Sequence, residues 1–304
     1  MTGAAPLAVA LVLDALFGEP AWLWRRFPHP AVLMGRLIGW MDTRFNHPPQ
    51  ARRNGVLALL AMIGLAGMTG ATIAALPLAP IWEILVAAIL LAQNSLAQHV
   101  RAVAHGLRRG TGPGRQAVAL IVGRDVAGMD SPAVARAAIE SAAENLSDGV
   151  IAPLFWFLVA GLPGMVAYKI VNTADSMIGY RTPRHAAFGW AAARCDDLLN
   201  LIPARLTAAL ILIAAGRPLR WRPVWRDARL HRSPNAGWPE AAMAVALNVA
   251  LSGPRSYDGE MRDFPWVWPE GRRTPGVREI LRAVSLLWRV WALTLVLITG
   301  LCLI

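Results

Sequence analysis

The sequence predicts an all-α integral membrane protein that crosses the bilayer several times. Of its 304 residues, 56% are hydrophobic and only 16% are charged, and the mean hydropathy is +0.43. A soluble domain carries about 25% charged residues. The apolar residues also form long blocks instead of alternating with polar ones, which is typical of membrane-spanning helices.

The distribution of charge favours a lipid bilayer over nucleic acid as a partner. The net charge is +11, and the basic residues are almost all arginines in the connections between apolar blocks. This arrangement is typical of cytoplasmic loops next to anionic lipid, and not of a DNA-binding surface. Lys169 is the sole lysine of the chain. Cys195 and Cys302 match no metal-binding or redox spacing.

The first half of the chain predicts a short membrane helix and one clear pair of spans. Residues 2–17 are apolar and slightly short for a full span, and a basic, Trp-containing loop follows. Residues 55–78 and 81–97 predict the pair, joined by a turn without basic residues that should face away from the cytoplasm. Residues 99–149 predict a large soluble loop, whose Gly-rich segment 108–115 is a flexible connector. Asp130-Ser131-Pro132 within it predicts the start of the helix that carries Glu140 and Glu144.

The second half predicts interrupted spans. Residues 150–171 are broken by Gly161-Leu162-Pro163-Gly164, which predicts one kinked span or, as we favour, two half-helices in a re-entrant hairpin. Further apolar segments lie at 198–215, 241–251 and 283–304, so we expect roughly four to six spans. The whole chain, 1–304, then forms a single membrane domain, with the larger polar loops 99–149 and 172–240 carrying the functional site.

Two groups of polar residues at helical spacing are the candidate site. Glu140, Glu144 and Asp148 share one helix face, beside Asn145, and are either a solvated surface or ligands for Mg²⁺. Lys169, Asn172, Asp175 and Ser176 follow an apolar run. Lys169 either extends to the membrane surface or faces a phosphate. Asp196, Asp197 and Asn200 come next, and for Asp196 a helix N-cap is the better interpretation.

Two further classes of site are disfavoured. His29 and His231 lie next to prolines, which indicates fixed turns, and no His or Cys cluster supports zinc. No Gly-x-Ser-x-Gly segment supports an esterase. Composition and spacing thus predict a polytopic membrane protein with a polar site that could handle phosphate.

The chain resembles the adenosylcobinamide-phosphate synthase family of cobalamin biosynthesis (CobD/CbiB). Motifs that carry the resemblance occur in the expected order over nearly the whole chain. They are 14–20 (DALFGEP), 28–35 (PHPAVLMG), 122–125 (VGRD), 140–149 (ESAAENLSDG), 168–180 (YKIVNTADSMIGY), 188–190 (FGW), 194–205 (RCDDLLNLIPAR) and 231–240 (HRSPNAGWPE). Glu19 stands where the family pattern usually has Asp, and Leu146 where it has Thr, so position 146 lacks a hydroxyl.

The resemblance implies an ATP-dependent ligase of the cytoplasmic membrane that uses ATP and Mg²⁺. Such enzymes join a carboxylate of adenosylcobyric acid to the amine of (R)-1-amino-2-propanol O-2-phosphate. Expected partners are these substrates, the lipid bilayer and other membrane-bound enzymes of cobalamin assembly. On this basis we assign Glu140, Glu144 and Asp148 to Mg²⁺, and Lys169, Asp175, Asp197 and His231 to catalysis. The expected phosphate- and substrate-binding residues are Arg124, Asn145, Asn172, Ser176, Arg181, Arg194 and Asn235.

Two other classes of function compete with this interpretation. One is a non-catalytic membrane regulator that resembles the AmpE proteins of β-lactamase signalling. The other is a transporter, since the chain has broken spans and charges at membrane depth. Neither explains the number of polar motifs in the basic loops as well as the ligase does.

Overall fold

The computed structural model describes residues 3–257 and 260–303. The chain is 71% helical, with long apolar helices, which confirms the all-α polytopic membrane fold. Its elements are α1 (Ala4–Phe17), α2 (Ala21–Trp24), α3 (Pro30–Phe45), α4 (Ala51–Ala74), α5 (Ala79–Leu90), α6 (Gln93–Arg109), α7 (Thr111–Val118), α8 (Ser131–Leu146), a π-helical turn (Ser147–Ile151), α9 (Ala152–Ile178), α10 (Trp190–Leu199), α11 (Leu201–Ala214), α12 (Trp221–Ala228), α13 (Gly237–Leu247), β1 (Leu251–Ser252), β2 (Arg255–Tyr257), β3 (Glu260–Arg262), β4 (Trp266–Val267) and α14 (Val277–Leu301).

The number of candidate membrane spans agrees with the four to six spans that the sequence predicts. Four helical segments among the described residues are long and apolar enough to cross a bilayer. They are Ala51–Ala74, Ala79–Arg109, Ser131–Ile178 and Val277–Leu301. A fifth arises if α10 and α11, which are bent by 46°, form one broken span. Helix α1 is apolar but shorter, as predicted.

The described residues pack into two compact units. The first unit comprises residues 1–92, 148–201 and 298–304, and the second comprises 93–147 and 202–297, within the described ranges. The sequence predicts a single membrane domain and contains no linker that marks this division.

In the first unit, α4 packs along α9 at the point where α9 is broken. The backbone leaves the helical region at Ala160 and Gly161, and Gly161 has φ of 63°, which favours glycine. This confirms the predicted break. A Cβ atom on Gly70 of α4 would lie 2.6 Å from the Cα of Pro163, so the close approach of the two helices requires glycine at position 70.

In the second unit, α6, α7 and α8 form a helical layer that supports two short antiparallel strand pairs. Asp130 caps α8 by accepting a hydrogen bond from the Ala133 N–H at 2.8 Å, and Pro132 lies in the first turn, as predicted. Strand β1 pairs with β4, and β2 pairs with β3. Strand β1 packs against α8. This places the strands beside the polar face of α8.

Three predictions of local structure are wrong. Residues 99–149 are mainly helical instead of a loop, because Leu96, Val100 and Val103 give α6 one buried face. The Gly-rich segment includes α7 and is closely packed, since a Cβ on Gly106 would lie 2.7 Å from the Pro113 carbonyl oxygen. Residues 172–240 also contain helices α10 and α12, which were not predicted, whereas α11 matches the predicted apolar segment 198–215.

Two smaller corrections concern helix ends and strands. Asp196 lies inside α10 and is buried, so it does not cap the next helix. The strands within 251–267 were not predicted, because each has only two or three residues and no alternating pattern can be recognised over that length.

Candidate active site

The structure distributes the predicted site residues over both units. Asp148, Lys169, Asn172, Asp175, Ser176, Arg181, Arg194 and Asp197 belong to the first, and Arg124, Glu140, Glu144, Asn145, His231 and Asn235 to the second. Each unit contains one buried polar cluster that includes several of them.

Glu140 is the centre of the cluster in the second unit. Its Oε2 accepts a hydrogen bond from Arg124 Nη2 at 2.7 Å and another from Arg255 Nη1 at 3.3 Å. Its Oε1 accepts one from the Ser252 backbone N–H at 2.7 Å. Arg255 also donates to the Ser252 hydroxyl. Two guanidinium groups therefore share one buried carboxylate.

The segment that carries Arg124 is held to α7 and α8 by hydrogen bonds. The Ser141 hydroxyl donates to the Ile121 carbonyl at 2.7 Å, and Arg115 Nε donates to the Met129 carbonyl at 2.6 Å. The Ser256 hydroxyl donates to Asp125 Oδ2 at 3.0 Å, which joins the segment to β2. Arg124 is thus fixed from several sides.

A cavity of about 700 Å³ lies against these residues, and we call it the arginine pocket. Its volume is in the range of sites that bind nucleotides and other small ligands. Arg124, Arg136 and Arg255 line it, together with Asp125, Asp130, Glu140, Ser252 and Ser256. Arg136 donates to the Arg273 carbonyl at 2.9 Å and lies over the Trp266 ring. Arg124 Nε is buried and has no hydrogen-bond partner among the described residues. The pocket therefore offers anion-binding donors.

Glu240 and His231 lie near this cluster, and Glu240 was not predicted. Burial raises the pKa of Glu240 to about 8, reinforced by Glu140, so its carboxyl group is mostly neutral at pH 7. Burial lowers the pKa of His231, so its ring is neutral as well. His231 Nδ1 accepts a hydrogen bond from the Ser233 N–H at 3.0 Å. The proton of the neutral ring therefore lies on Nε2, which is 3.7 Å from Glu240 Oε2.

The remaining predicted residues of the second unit lie outside the arginine pocket. Glu144 and Asn145 are exposed on α8, and Asn145 Nδ2 donates to the Ser141 carbonyl at 2.9 Å. Asn235 is buried, and its Oδ1 accepts a hydrogen bond from Arg205 Nη1 at 3.3 Å. Arg205 also lies over the Trp238 ring, with 4.6 Å to the centroid.

A cluster of amides and carboxylates forms the polar centre of the first unit. Asn172 Nδ2 donates to Asp196 Oδ1 at 3.1 Å and lies 3.5 Å from Asp148 Oδ2. Asn200 Nδ2 donates to Asp196 Oδ2 at 3.0 Å, and the Tyr168 hydroxyl donates to Asn200 Oδ1 at 3.0 Å. We call these five residues the Asn172 cluster. Of its members, Tyr168, Asp196 and Asn200 were not predicted as site residues.

Lys169 lies next to this cluster on α9. Its side chain is partly exposed, and the carboxylates that act on it electrostatically are Asp148 and Glu19. Glu19 was not predicted as a site residue either, although it belongs to the first motif of the chain. His29 is also within electrostatic range of Lys169 and caps α3 by accepting from the Ala31 N–H at 3.1 Å. His29 therefore lies directly before α3, with Pro30 in the first turn of the helix.

The other predicted residues of the first unit lie toward the ends of α9 and α10. Ser176 and Arg181 are exposed, and the Ser176 hydroxyl donates to the Asn172 carbonyl at 2.9 Å. Arg194 and Asp197 form an ion pair at 3.1 Å. The Asp175 carbonyl accepts a hydrogen bond from the Gly179 N–H at 2.7 Å, which ends α9.

A protein-held metal site does not form within the described residues, since no three His, Cys, Asp or Glu side chains lie together there as a ligand set. Both oxygens of Glu140 already accept hydrogen bonds. The residues present therefore do not fit a Mg²⁺ ion bound by Glu140, Glu144 and Asp148 alone. Mg²⁺ itself stays a prediction.

Comparison with known proteins gives the chain its family. The family described as CobD/Cbib protein matches residues 7–287, which is most of the chain. The chain belongs to the CobD/CbiB family. Among curated CobD/CbiB relatives, the "Cobalamin biosynthesis protein CobD" of Sinorhizobium sp is 47% identical over 301 residues, covering 93% of each chain. The protein of that name from Brucella suis is 48% identical over 313 residues, covering 97% of this chain and 94% of its own.

A third CobD/CbiB relative, the protein of the same name from Rhodobacter capsulatus, is 49% identical over 276 residues and covers 88% of this chain. No solved structure matches the chain. The family resemblance read from the motifs is thus confirmed.

Proposed function

We propose that this CobD/CbiB chain acts in cobalamin biosynthesis as an adenosylcobinamide-phosphate synthase. It would join adenosylcobyric acid to (R)-1-amino-2-propanol O-2-phosphate through an amide bond, with hydrolysis of ATP. The names of its relatives support the pathway, and the arginine pocket supports a reaction between phosphate-bearing substrates.

The observation that carries this proposal is the set of guanidinium donors in the arginine pocket, of which the buried Arg124 Nε–H has no partner among the described residues. Arg124, Arg136 and Arg255 line the pocket together with three carboxylates, Asp125, Asp130 and Glu140, and Glu140 pairs with Arg124 and Arg255. A buried N–H without a partner costs about 1–3 kcal/mol, and a phosphate oxygen would satisfy the free Arg124 Nε–H. Guanidinium groups bind phosphate through paired, charge-assisted hydrogen bonds.

The chemistry requires such an anion site. A carboxylate oxygen attacks the γ-phosphorus of ATP, ADP leaves, and an acyl phosphate forms. The amine nitrogen then attacks the acyl carbon, the bond to the phosphate oxygen breaks, and one amine proton passes to a base. The first step gathers negative charge, which fixed cationic groups stabilise.

Within the first unit, the Asn172 cluster and Lys169 provide different functional groups. Asn172 and Asn200 use amide donors to hold the Asp196 carboxylate, so Asp196 is fixed in position. Lys169 is half-buried as a residue, and its ammonium group can meet an anionic oxygen. We propose that the Asn172 cluster orients the amine or the carboxylate substrate and that Lys169 contacts a phosphate oxygen.

The proton acceptor is Asp197 in this proposal, in preference to His231. The Nδ1 lone pair of His231 is used by the Ser233 N–H, and protonating it would break that hydrogen bond. Asp197 is partly exposed, although Arg194 lies beside it. Mg²⁺ would enter with the phosphates of ATP and neutralise part of their charge.

The proposed location is the cytoplasmic membrane, where ATP and the basic loops meet. The proposed partners there are the corrinoid, aminopropanol phosphate and other membrane-bound enzymes of cobalamin assembly.

The test is product analysis by mass spectrometry with the purified full chain in detergent. Adenosylcobyric acid, aminopropanol phosphate, ATP and Mg²⁺ should yield adenosylcobinamide phosphate, and omission of ATP should abolish it. Arg136→Gln should raise the Michaelis constant for a phosphate-bearing substrate about 10- to 100-fold, because a charge-assisted contact is lost. Arg278→Gln is the matched control, because Arg278 is exposed and does not line the pocket. A folded wild-type protein that forms no product would refute the proposed reaction.

A further inference from the structure

A second, smaller cavity in the second unit is surrounded by three arginines. It has a volume of about 180 Å³, and Arg217, Arg282 and Arg289 line it together with Ser285, Leu247 and Leu286. We call it the basic cavity. It shares no lining residue with the arginine pocket.

None of these three arginines forms an ion pair with a carboxylate in the described part of the chain. Arg217 Nη1 donates to the Val245 carbonyl at 3.1 Å, and Arg282 Nη1 donates to the Leu247 carbonyl at 3.0 Å. These contacts satisfy the C-terminal carbonyl groups of α13 and use one nitrogen of each guanidinium. Three like charges therefore share a small cavity without a protein anion.

The position of the cavity along the helices is unusual for so much charge. Arg282, Ser285 and Arg289 are three and four residues apart on α14, so they share one face of a candidate membrane span. Arg289 lies near the middle of this 25-residue helix. A charged side chain at membrane depth is costly unless it reaches the interface or meets a counter-ion.

Residues next to Arg217 are suited to the membrane interface. This segment follows directly after α11, the second half of the bent candidate span. Leu219 is 94% exposed, and Trp221 and Trp225 are exposed as well. Exposed tryptophan and leucine beside arginine are typical of the headgroup region of a bilayer.

We propose that the basic cavity binds the phosphate headgroup of an anionic phospholipid. The three guanidinium groups contact the phosphate oxygens, and the leucine and alanine side chains of the cavity adjoin the acyl chains. A lipid fits better than free phosphate, because the three arginines lie beside alanine and leucine residues, and Arg282 and Arg289 belong to a candidate membrane helix. A zwitterionic lipid fits less well, since its second charge is repelled. The proposal depends on no part of the proposed ligase reaction.

The test is native mass spectrometry of the full chain in mild detergent, with phosphatidylglycerol or phosphatidylcholine added. The wild type should retain phosphatidylglycerol, and Arg289→Gln should reduce the bound fraction about tenfold, equivalent to one charge-assisted contact. Arg282→Gln/Arg289→Gln should reduce it further. The single variant keeps the proposal testable if loss of the Arg282–Leu247 contact disturbs folding. Arg278→Gln on the same helix is the control and should bind as the wild type does.

Three results of the lipid-binding measurement itself would overturn the proposal. They are equal retention of phosphatidylcholine and phosphatidylglycerol, wild-type retention by Arg289→Gln, and an equal loss in Arg278→Gln. Displacement of the lipid by millimolar inorganic phosphate would instead identify a free-phosphate site and would also overturn it.

Discussion

The carboxylate of Glu140 lies 2.7 Å from Arg124 Nη2, and both side chains are almost fully buried, with 10% and 8% exposed. Arg255 and the Ser252 N–H bind the same carboxylate. Glu140 on α8 thereby joins the segment around Arg124 to Ser252 and Arg255, which lie 112 and 115 positions away from Glu140 in the sequence. It fixes two of the three arginines that line the arginine pocket, so its first role is to position guanidinium groups.

Replacing Glu140 by glutamine should strongly destabilise the second unit. The amide keeps the shape of the side chain but leaves two buried guanidinium groups without their counter-charge, and breaking such a pair costs about 3–5 kcal/mol. The midpoint of thermal unfolding, followed by tryptophan fluorescence in detergent, should fall clearly.

Glu144→Gln is the matched control for this change, since Glu144 is one turn away and exposed. Its unfolding midpoint should stay close to that of the wild type. A direct metal-ligand role for Glu140 predicts another pattern. The wild-type midpoint would then shift with Mg²⁺ or a chelator, and Glu140→Gln would lose that shift.

The buried Glu240 predicts a loss of stability at alkaline pH. Its pKa is raised from 4.5 to about 8 in the folded chain, mainly by burial. A carboxyl group with a raised folded pKa stabilises the fold fully below pH 4.5 and loses this contribution as the pH rises through 8. Between pH 7 and pH 9 the loss is about 1.4 kcal/mol, because the folded chain binds on average about half a proton more than the unfolded chain over these two pH units.

Glu240→Gln should remove this part of the pH dependence, because glutamine resembles the neutral acid and does not titrate. Unfolding midpoints at pH 7 and pH 9 would be compared for the wild type, this variant and Glu270→Gln. Glu270 is exposed, and hydrogen bonds lower its pKa, so it titrates below this window. An equal pH effect in wild type and Glu240→Gln would show that another group is responsible.

The sequence predicted those helix ends and breaks that depend only on the residues at the position itself. Asp130 and Pro132 marked the start of α8, and Gly161 and Pro163 marked the break in α9. Both features arise from backbone preferences of the residues themselves. The membrane class followed equally directly from the lengths of the apolar blocks.

The contacts that build the two polar clusters could not be predicted in this way. Arg255 meets Glu140 although 115 positions separate them, and no periodicity reports a contact over such a separation. Most of helix α6 was interpreted as a loop, because its few apolar residues are interspersed with polar and basic ones and their helical spacing was not recognised. Asp196 was interpreted as a cap, since only the packing of α9 against α10 reveals that its carboxylate is buried beside Asn172.

The positive-inside pattern predicts that the basic segments face the cytoplasm. Single cysteines at Arg181 and Arg232, both exposed, would be placed in a chain lacking Cys195 and Cys302. In intact cells with the outer barrier opened, an impermeant thiol reagent should label neither. A cysteine at Leu78, 70% exposed in the turn between α4 and α5, should be labelled and serves as the positive control. Labelling at either arginine position contradicts this topology.

Substitutions at Lys169 distinguish a role in lipid contact from a role in catalysis. The structure places it beside Asp148 and Glu19. A lysine that only reaches toward lipid headgroups can be replaced by arginine, because both have a long apolar stem and one charge. A lysine that meets a phosphate oxygen as a compact charge cannot, since the planar guanidinium is larger and directs its donors differently.

Lys169→Arg should therefore lose most of its turnover, and Lys169→Met should be nearly inactive, while corrinoid binding stays at the wild-type level in both. Turnover, ATP binding and corrinoid binding would be measured for each variant in the same detergent. Asp148 and Glu19 would repel an anionic substrate if the ammonium group were absent, so Met should be worse than Arg. A fully active Lys169→Arg protein would support the lipid role. An active Lys169→Met protein would remove Lys169 from the site, because no charge at that position would then be needed for the reaction.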